Sequence, residues 1–152
     1  MNRRILLIGR SGCGKTSLIM RLQGKEPQAR KTQAAVYYPD FIDVPGEYLE
    51  VRSYYRALIM LACESYAIAL LQAADDPLSL FPGGLARIFD KPVLGVVTKT
   101  DREGADVEKA KNILIEAGAK DVYMTSAIKG SGVDELGALL DQLRDAAGGA
   151  DG

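Results

Sequence analysis

The chain contains no histidine. That removes the commonest general base at neutral pH and the commonest metal ligand. Catalysis here would have to rest on carboxylates, lysine, hydroxyls, backbone groups and bound ions. Cysteine is nearly absent too: Cys13 and Cys63 are the only two, too few to staple a small secreted domain, so a reduced thiol pair in a cytoplasmic protein is expected. Charge of one sign is also missing, since 19 Lys and Arg meet 20 Asp and Glu for a net −1. No broad basic face recommends nucleic acid or an anionic membrane as partner. Long hydrophobic runs are lacking. The longest, residues 57–72, is broken by Glu64 and Ser65 and falls short of the ~20 residues that a spanning helix needs. The apolar run at 5–8 is too short for the h-region of a signal peptide.

What remains is a globular composition: 152 residues, 47% apolar and 26% charged, enough for one domain with a hydrophobic core. No repeat or low-complexity block divides it, so one domain over 1–145 and a frayed tail over 146–152 (AAGGADG) are expected. Apolar runs at 5–8, 66–71, 93–97 and 121–124 suit strands buried on both faces, and 34–38 and 41–44 suit a hairpin about Pro39-Asp40. Between them, helical spacing appears at 15–23, 53–63, 106–117 and 132–144, with a possible short helix at 84–89 after Pro82-Gly83-Gly84. This alternation predicts an α/β fold of three layers, its six-stranded sheet mostly parallel with one antiparallel edge hairpin. In such a sheet, ligands sit beyond the carboxyl ends of the strands.

The unusual residues fall at those ends. Gly9-Arg10-Ser11-Gly12-Cys13-Gly14-Lys15-Thr16 fits G-x-x-x-x-G-K-[ST] between a strand and a helix, with Ser17 following on the helix. Glycines there let successive backbone N–H groups turn inward around a phosphate, and the helix adds its positive end. Lys15 would reach the β- and γ-phosphates and the Thr16 hydroxyl a Mg²⁺ ion. The segment is a phosphate-binding loop, in which the Cys13 thiol is expected to be a bystander.

Four further places gain meaning from that loop. Asp43-Val44-Pro45-Gly46 would be an ordinary turn alone. After a strand of a phosphate-loop protein, Asp43 suits Mg²⁺ and the Gly46 N–H suits a γ-phosphate. Thr98-Lys99-Thr100-Asp101 follows the strand 93–97, where Asp101 would accept from N1–H and the 2-amino group of guanine, and the Lys99 stem would cover the base. The alternative is a polar loop with a helix-capping Asp. Ser126 and Ala127 follow the last strand and are small enough to admit a base edge. Thr32 is the threonine placed to meet Mg²⁺ and the γ-phosphate in a closing loop, unless it is simply a solvated residue.

With these motifs in order the chain resembles the small-GTPase class of P-loop NTPases, and more narrowly the EutP/PduV family. The narrower resemblance rests on LQGKEPQARKTQAA (22–35), DVPGEYLE (43–50) with YYRAL (54–58), and AADDPLSLFPGGL (73–85). It covers about residues 3–145. It implies a Ras-like fold, GTP or GDP and Mg²⁺ as ligands, and association with a bacterial microcompartment. A shell or cargo protein is the expected partner, and a monomer or weak homodimer the expected state. Family members have also been assigned phosphotransfer between ATP and acetate, so ATP stays open as the nucleotide, and Arg10 or Arg30-Lys31 as the cations that would hold acetate.

The chain departs from the usual pattern in instructive places. The usual base-motif asparagine is Thr98, which removes an amide that braces the phosphate loop. Glu47 stands where a glutamine generally orients the attacking water, and its charge opposes the γ-phosphate. Ser11 occupies a position kept as glycine where an arginine finger enters, and Gly12 one held by asparagine in potassium-assisted relatives. With Lys15, Thr32, Gly46 and Glu47 as the catalytic set, slow hydrolysis is expected.

Overall fold

A computed structural model of the protein describes residues 4–27, 35–79 and 81–150. Six strands form one sheet: β1 (Arg4–Gly9), β2 (Val36–Tyr37), β3 (Phe41–Asp43), β4 (Ser65–Ala73), β5 (Val93–Thr98) and β6 (Val122–Met124). Their order is β2-β3-β1-β4-β5-β6. All neighbours pair in parallel except β2, which runs antiparallel to β3 at the edge. The five α-helices are α1 (Lys15–Leu22), α2 (Glu47–Glu50), α3 (Tyr55–Cys63), α4 (Val107–Glu116) and α5 (Val133–Ala150).

The strands read as continuous apolar runs because helices cover both faces. Side chains alternate across a strand, so Leu6, Ile8, Ile68 and Leu70 enter one core with Leu58 of α3 and Leu114 of α4. Ile5, Leu7, Ala67, Ala69 and Leu71 enter the other with Leu18 and Ile19 of α1 and Leu136 and Leu140 of α5. Each fully buried Leu or Ile contributes about 1.5–3 kcal/mol, and the two cores fix β1 and β4 at the centre. The three-layer architecture expected from the alternation is the one observed.

Element boundaries differ in physically clear ways. The hairpin strand β2 is only two residues long, and both are exposed, as suits an edge strand with little to bury. The helix expected at 53–63 begins as a 3₁₀ turn at Arg52–Tyr54, and the separate α2 precedes it. The helix expected at 84–89 is one 3₁₀ turn, Leu85–Ile88. This turn spends its backbone on α4: the N–H groups of Gly84 and Ala86 donate to the terminal carbonyls of Glu116 and Ala117 at 3.0 and 2.8 Å. Helix α5 runs into the segment expected to fray, to Ala150: Ala147 packs on the second core, against the helix-disfavouring glycines at 148 and 149. Among the described residues, no helix is long and apolar enough to cross a membrane.

Candidate phosphate-binding site

Residues 10–14 join β1 to α1 beyond the carboxyl end of the sheet's central strands. Gly12 and Gly14 hold φ of 82° and 96°, left-handed backbone that a side chain would strain, and Gly14 is the N-cap of α1. No acidic residue occupies the first turn of that helix, so its positive end is left for an anion. Lys15 is buried, and its Nζ donates to the Gly9 carbonyl at 3.0 Å and the Arg10 carbonyl at 3.5 Å. The ammonium thus lies curled within the loop, held by its carbonyls.

Four successive loop residues are met by three other segments of the chain. The Arg10 guanidinium bonds Asp76 after β4, its Nη1 at 3.1 and 2.9 Å from the two carboxylate oxygens. Ser11 lies so close to Gly46 that a Cβ on Gly46 would collide with the Ser11 nitrogen. The Gly12 carbonyl accepts from Lys99 Nζ at 2.6 Å. The Cys13 carbonyl accepts from the Thr98 hydroxyl at 2.5 Å. The brace expected to vanish with the asparagine is therefore present: a hydroxyl supplies one donor where an amide would supply two.

Behind α1, the Thr16 hydroxyl donates to Asp43 Oδ2 at 2.9 Å, with both residues buried. A hydroxyl and a carboxylate are hard oxygen donors, and Mg²⁺ is commonly held by one or two such groups together with phosphates and waters. The donor set fits that ion.

A cavity of about 210 Å³ runs from Ser11, Lys15 and Gly46 at the loop to Asp101, Ala127 and Ile128 at the ends of β5 and β6. Asp101 is aimed by its neighbour: the Ser126 hydroxyl donates to its Oδ1 at 2.7 Å. That bond, more than any other influence, holds the Asp101 carboxyl below the usual range and keeps it an acceptor. Lys99 takes a left-handed φ of 58°, a conformation that costs a non-glycine residue about 1–2 kcal/mol, while its Nζ reaches the Gly12 carbonyl.

Residues 2–142 match the family described as ethanolamine utilisation – propanediol utilisation, PduV-EutP. The chain belongs to this family. It is 45% identical to the propanediol utilization protein PduV of Citrobacter freundii over 140 residues, 91% of this chain and 93% of that protein. It is 39% identical to the probable acetate kinase EutP of Escherichia coli strain K12 over 118 residues, 76% of this chain and 74% of that one. Among solved structures, Roco2 RocCORdC of Methanosarcina barkeri, bound to GDP, aligns with a TM-score of 0.65 at 19% identity over 94% of this chain. This chain spans about half, 49%, of that longer one, and the likeness is one of fold.

In this PduV-EutP protein the structure brings Ser11, Gly12, Gly14, Lys15, Thr16, Ser17, Gly46, Thr98, Lys99, Asp101 and Ala127 to one cavity. Others named from sequence stand behind it: Gly9 and Asp43 are buried, and Ser126 acts through Asp101. The Cys13 thiol points into the second core, and its burial pushes the thiol pKa up despite the Lys15 ammonium nearby, as suits a bystander. The Arg10 side chain leaves for Asp76, and Glu47 is the half-buried first residue of α2, outside the cavity lining. Thr32, Arg30 and Lys31 lie outside the described residues. Sequence reasoning missed Pro27, Leu18, Arg102 and Ile128 on the cavity wall. For Ile128, an apolar residue directly after Ser126-Ala127 was the available signal. It also missed Asp76, which only its double acid in AADDPL could have suggested.

Proposed function

We propose that this PduV-EutP protein is a guanine-nucleotide switch with slow, Mg²⁺-dependent GTP hydrolysis, serving ethanolamine or propanediol utilisation. One observation carries the reading: a single cavity joins the phosphate loop to a carboxylate aimed by the Ser126 hydroxyl. Asp101 would accept from the two adjacent donors of guanine, whereas adenine offers neither and would leave the acceptor unpaired, a mismatch that sites penalise heavily. Lys15 would trade the Gly9 carbonyl for β- and γ-phosphate oxygens. Thr16 and Asp43 would hold Mg²⁺, with Thr32 as a third candidate, and the ion would supply charge neutralisation on the phosphates. The GDP in the Roco2 relative of this fold is consistent with that choice of base.

Slow turnover is expected because Glu47 stands where a water-orienting glutamine is usual, half-buried at the start of α2 and outside the cavity lining. The resting contact of Gly46 with Ser11 gives the switch its lever: a γ-phosphate meeting the Gly46 N–H would shift the start of α2 and alter the surface offered to a microcompartment shell or cargo protein. The protein is proposed to act in the cytoplasm, as a monomer or weak homodimer.

Similarity to a probable acetate kinase supports a second reading, transfer of phosphate between ATP and acetate. It needs a cation near the γ-phosphate to hold the carboxylate, and Arg10 is engaged by Asp76 instead. Titrating GDP, GTP, ADP and ATP against the purified protein with Mg²⁺, then assaying acetyl phosphate, separates the two. Guanine preference without acetyl phosphate is expected. Adenine preference with acetyl phosphate formation would replace the switch by the kinase.

A further inference from the structure

The loop after β4 carries a network that the proposed nucleotide contacts leave unused. Gln72, buried at 4% exposure in β4, donates from its side-chain amide to the backbone carbonyls of Asp76 and Leu78, both at 3.1 Å. The Leu78 N–H donates in turn to Asp76 Oδ1 at 3.0 Å. These bonds set the Asp76 carboxylate in place before Arg10 meets it, at 3.1 and 2.9 Å. An exposed ion pair between free side chains contributes little, because ordering both consumes the gain. Here one partner is already ordered and only 23% exposed, so that cost is largely met in advance.

What the pair holds is the start of the phosphate loop. The Arg10 carbonyl accepts from the Cys13 N–H at 3.1 Å, closing the turn, and from Lys15 Nζ at 3.5 Å. A side chain pulled outward to Asp76 keeps that carbonyl turned inward. It also keeps a mobile guanidinium out of the cradle. Resting on the nucleotide reading above, the geometry points to Asp76 as a positioning residue for phosphate binding, acting through Arg10, with Gln72 as its support. Asp76 touches no phosphate; it sets the shape of the loop that does.

The test is a double-mutant cycle on the full chain, reading Mg-GDP affinity and the thermal midpoint of nucleotide-free protein. Asp76→Asn keeps the shape and the acceptor for Leu78 while removing the charge; Arg10→Met keeps the stem. Each is expected to weaken GDP about fivefold to tenfold, and the double variant no more than either single, as for two residues of one unit. Arg10→Lys, which restores a cation, is expected to recover most of the affinity, and the midpoint to move little throughout. Should Asp76→Asn fail to fold, Arg10→Met against Arg10→Lys makes the same comparison. Wild type that binds GDP alongside variants that bind it equally well overturns the positioning role and leaves the nucleotide reading intact. So do additive losses that track the midpoint. Wild type that binds no nucleotide overturns that reading and the role with it.

Discussion

The hydroxyl of Thr98 donates to the carbonyl of Cys13 at 2.5 Å, tying the end of β5 to the phosphate loop across 85 positions of sequence. Both residues are buried, so the carbonyl has no solvent to turn to if the donor is lost. Thr98→Val keeps the side-chain volume and removes the proton, at a cost of about 1–3 kcal/mol for an unpaired buried acceptor. A lower thermal midpoint and weaker GDP binding are expected, with both retained in Thr98→Ser. Equal behaviour of Val and Thr in both measurements would show that the brace carries no weight.

The Ser126 hydroxyl is the largest influence lowering the pKa of Asp101, which extends its ionised range to lower pH. A carboxylate with a depressed pKa makes its contribution above the unfolded value and loses it only as pH falls through the folded value. Preference for GDP over IDP, whose base lacks the 2-amino group, is therefore expected to stay flat from neutral pH down to the ordinary Asp value of about 3.9. Taking the ratio cancels titration of the phosphates. In Ser126→Ala the largest cause of the shift is gone, and the preference is expected to decline at higher pH. Asp101→Asn is expected to move preference from guanine to xanthine, since a 2-keto group needs a donor. Unchanged base preference in that variant would remove Asp101 from base recognition.

The sheet and the phosphate loop were legible because both are local signals. Apolar runs at 5–8, 66–71 and 93–97 need only period and length to be read, and G-x-x-x-x-G-K-[ST] needs only spacing. Element ends were less legible. The turn at 85–88 is 3₁₀ because its amides serve the end of α4, and α5 continues because Ala147 finds a core surface. Neither partner is near in sequence. The Thr98 brace shows the same limit: the residue type announced a missing amide, while only the geometry reveals that a hydroxyl reaches a carbonyl of the loop. Asp76 was invisible for this reason too, since its meaning depends on Arg10, 66 positions away.

Lys15 is buried at 6% exposure, yet among the described residues its side chain bonds within the loop, so its removal frees loop groups beside an open cavity rather than opening the core. Lys15→Ala is expected to abolish nucleotide binding with the fold intact by circular dichroism. Undiminished GDP affinity would sink the phosphate-loop assignment.

The Thr16–Asp43 pair, 2.9 Å apart behind that lysine, carries the magnesium assignment. Thr16→Ala and Asp43→Ala are expected to weaken Mg-GTP binding more than metal-free GDP binding, because the donor set fits a hard cation beside a third phosphate. Equal losses for both ligands, indifferent to metal, would mean that the pair serves only to join α1 to β3.

Glu47 is the sharpest case, because its position suggests catalysis and its charge argues against it. It follows Gly46, which lines the cavity and lies against Ser11. Its own backbone begins α2, the carbonyl accepting from the Val51 N–H at 2.8 Å. A carboxylate can accept a proton from water but cannot donate to a phosphate oxygen, and beside a nucleoside triphosphate it opposes the charge that develops in the transition state. Glu47→Gln removes the repulsion and adds a donor, so single-turnover hydrolysis of Mg-GTP is expected to rise slightly or stay level. A functioning general base would behave in the opposite way, with a loss of about 10²-fold or more. A clear slowing in the variant would make Glu47 the base and end the expectation of intrinsically poor catalysis.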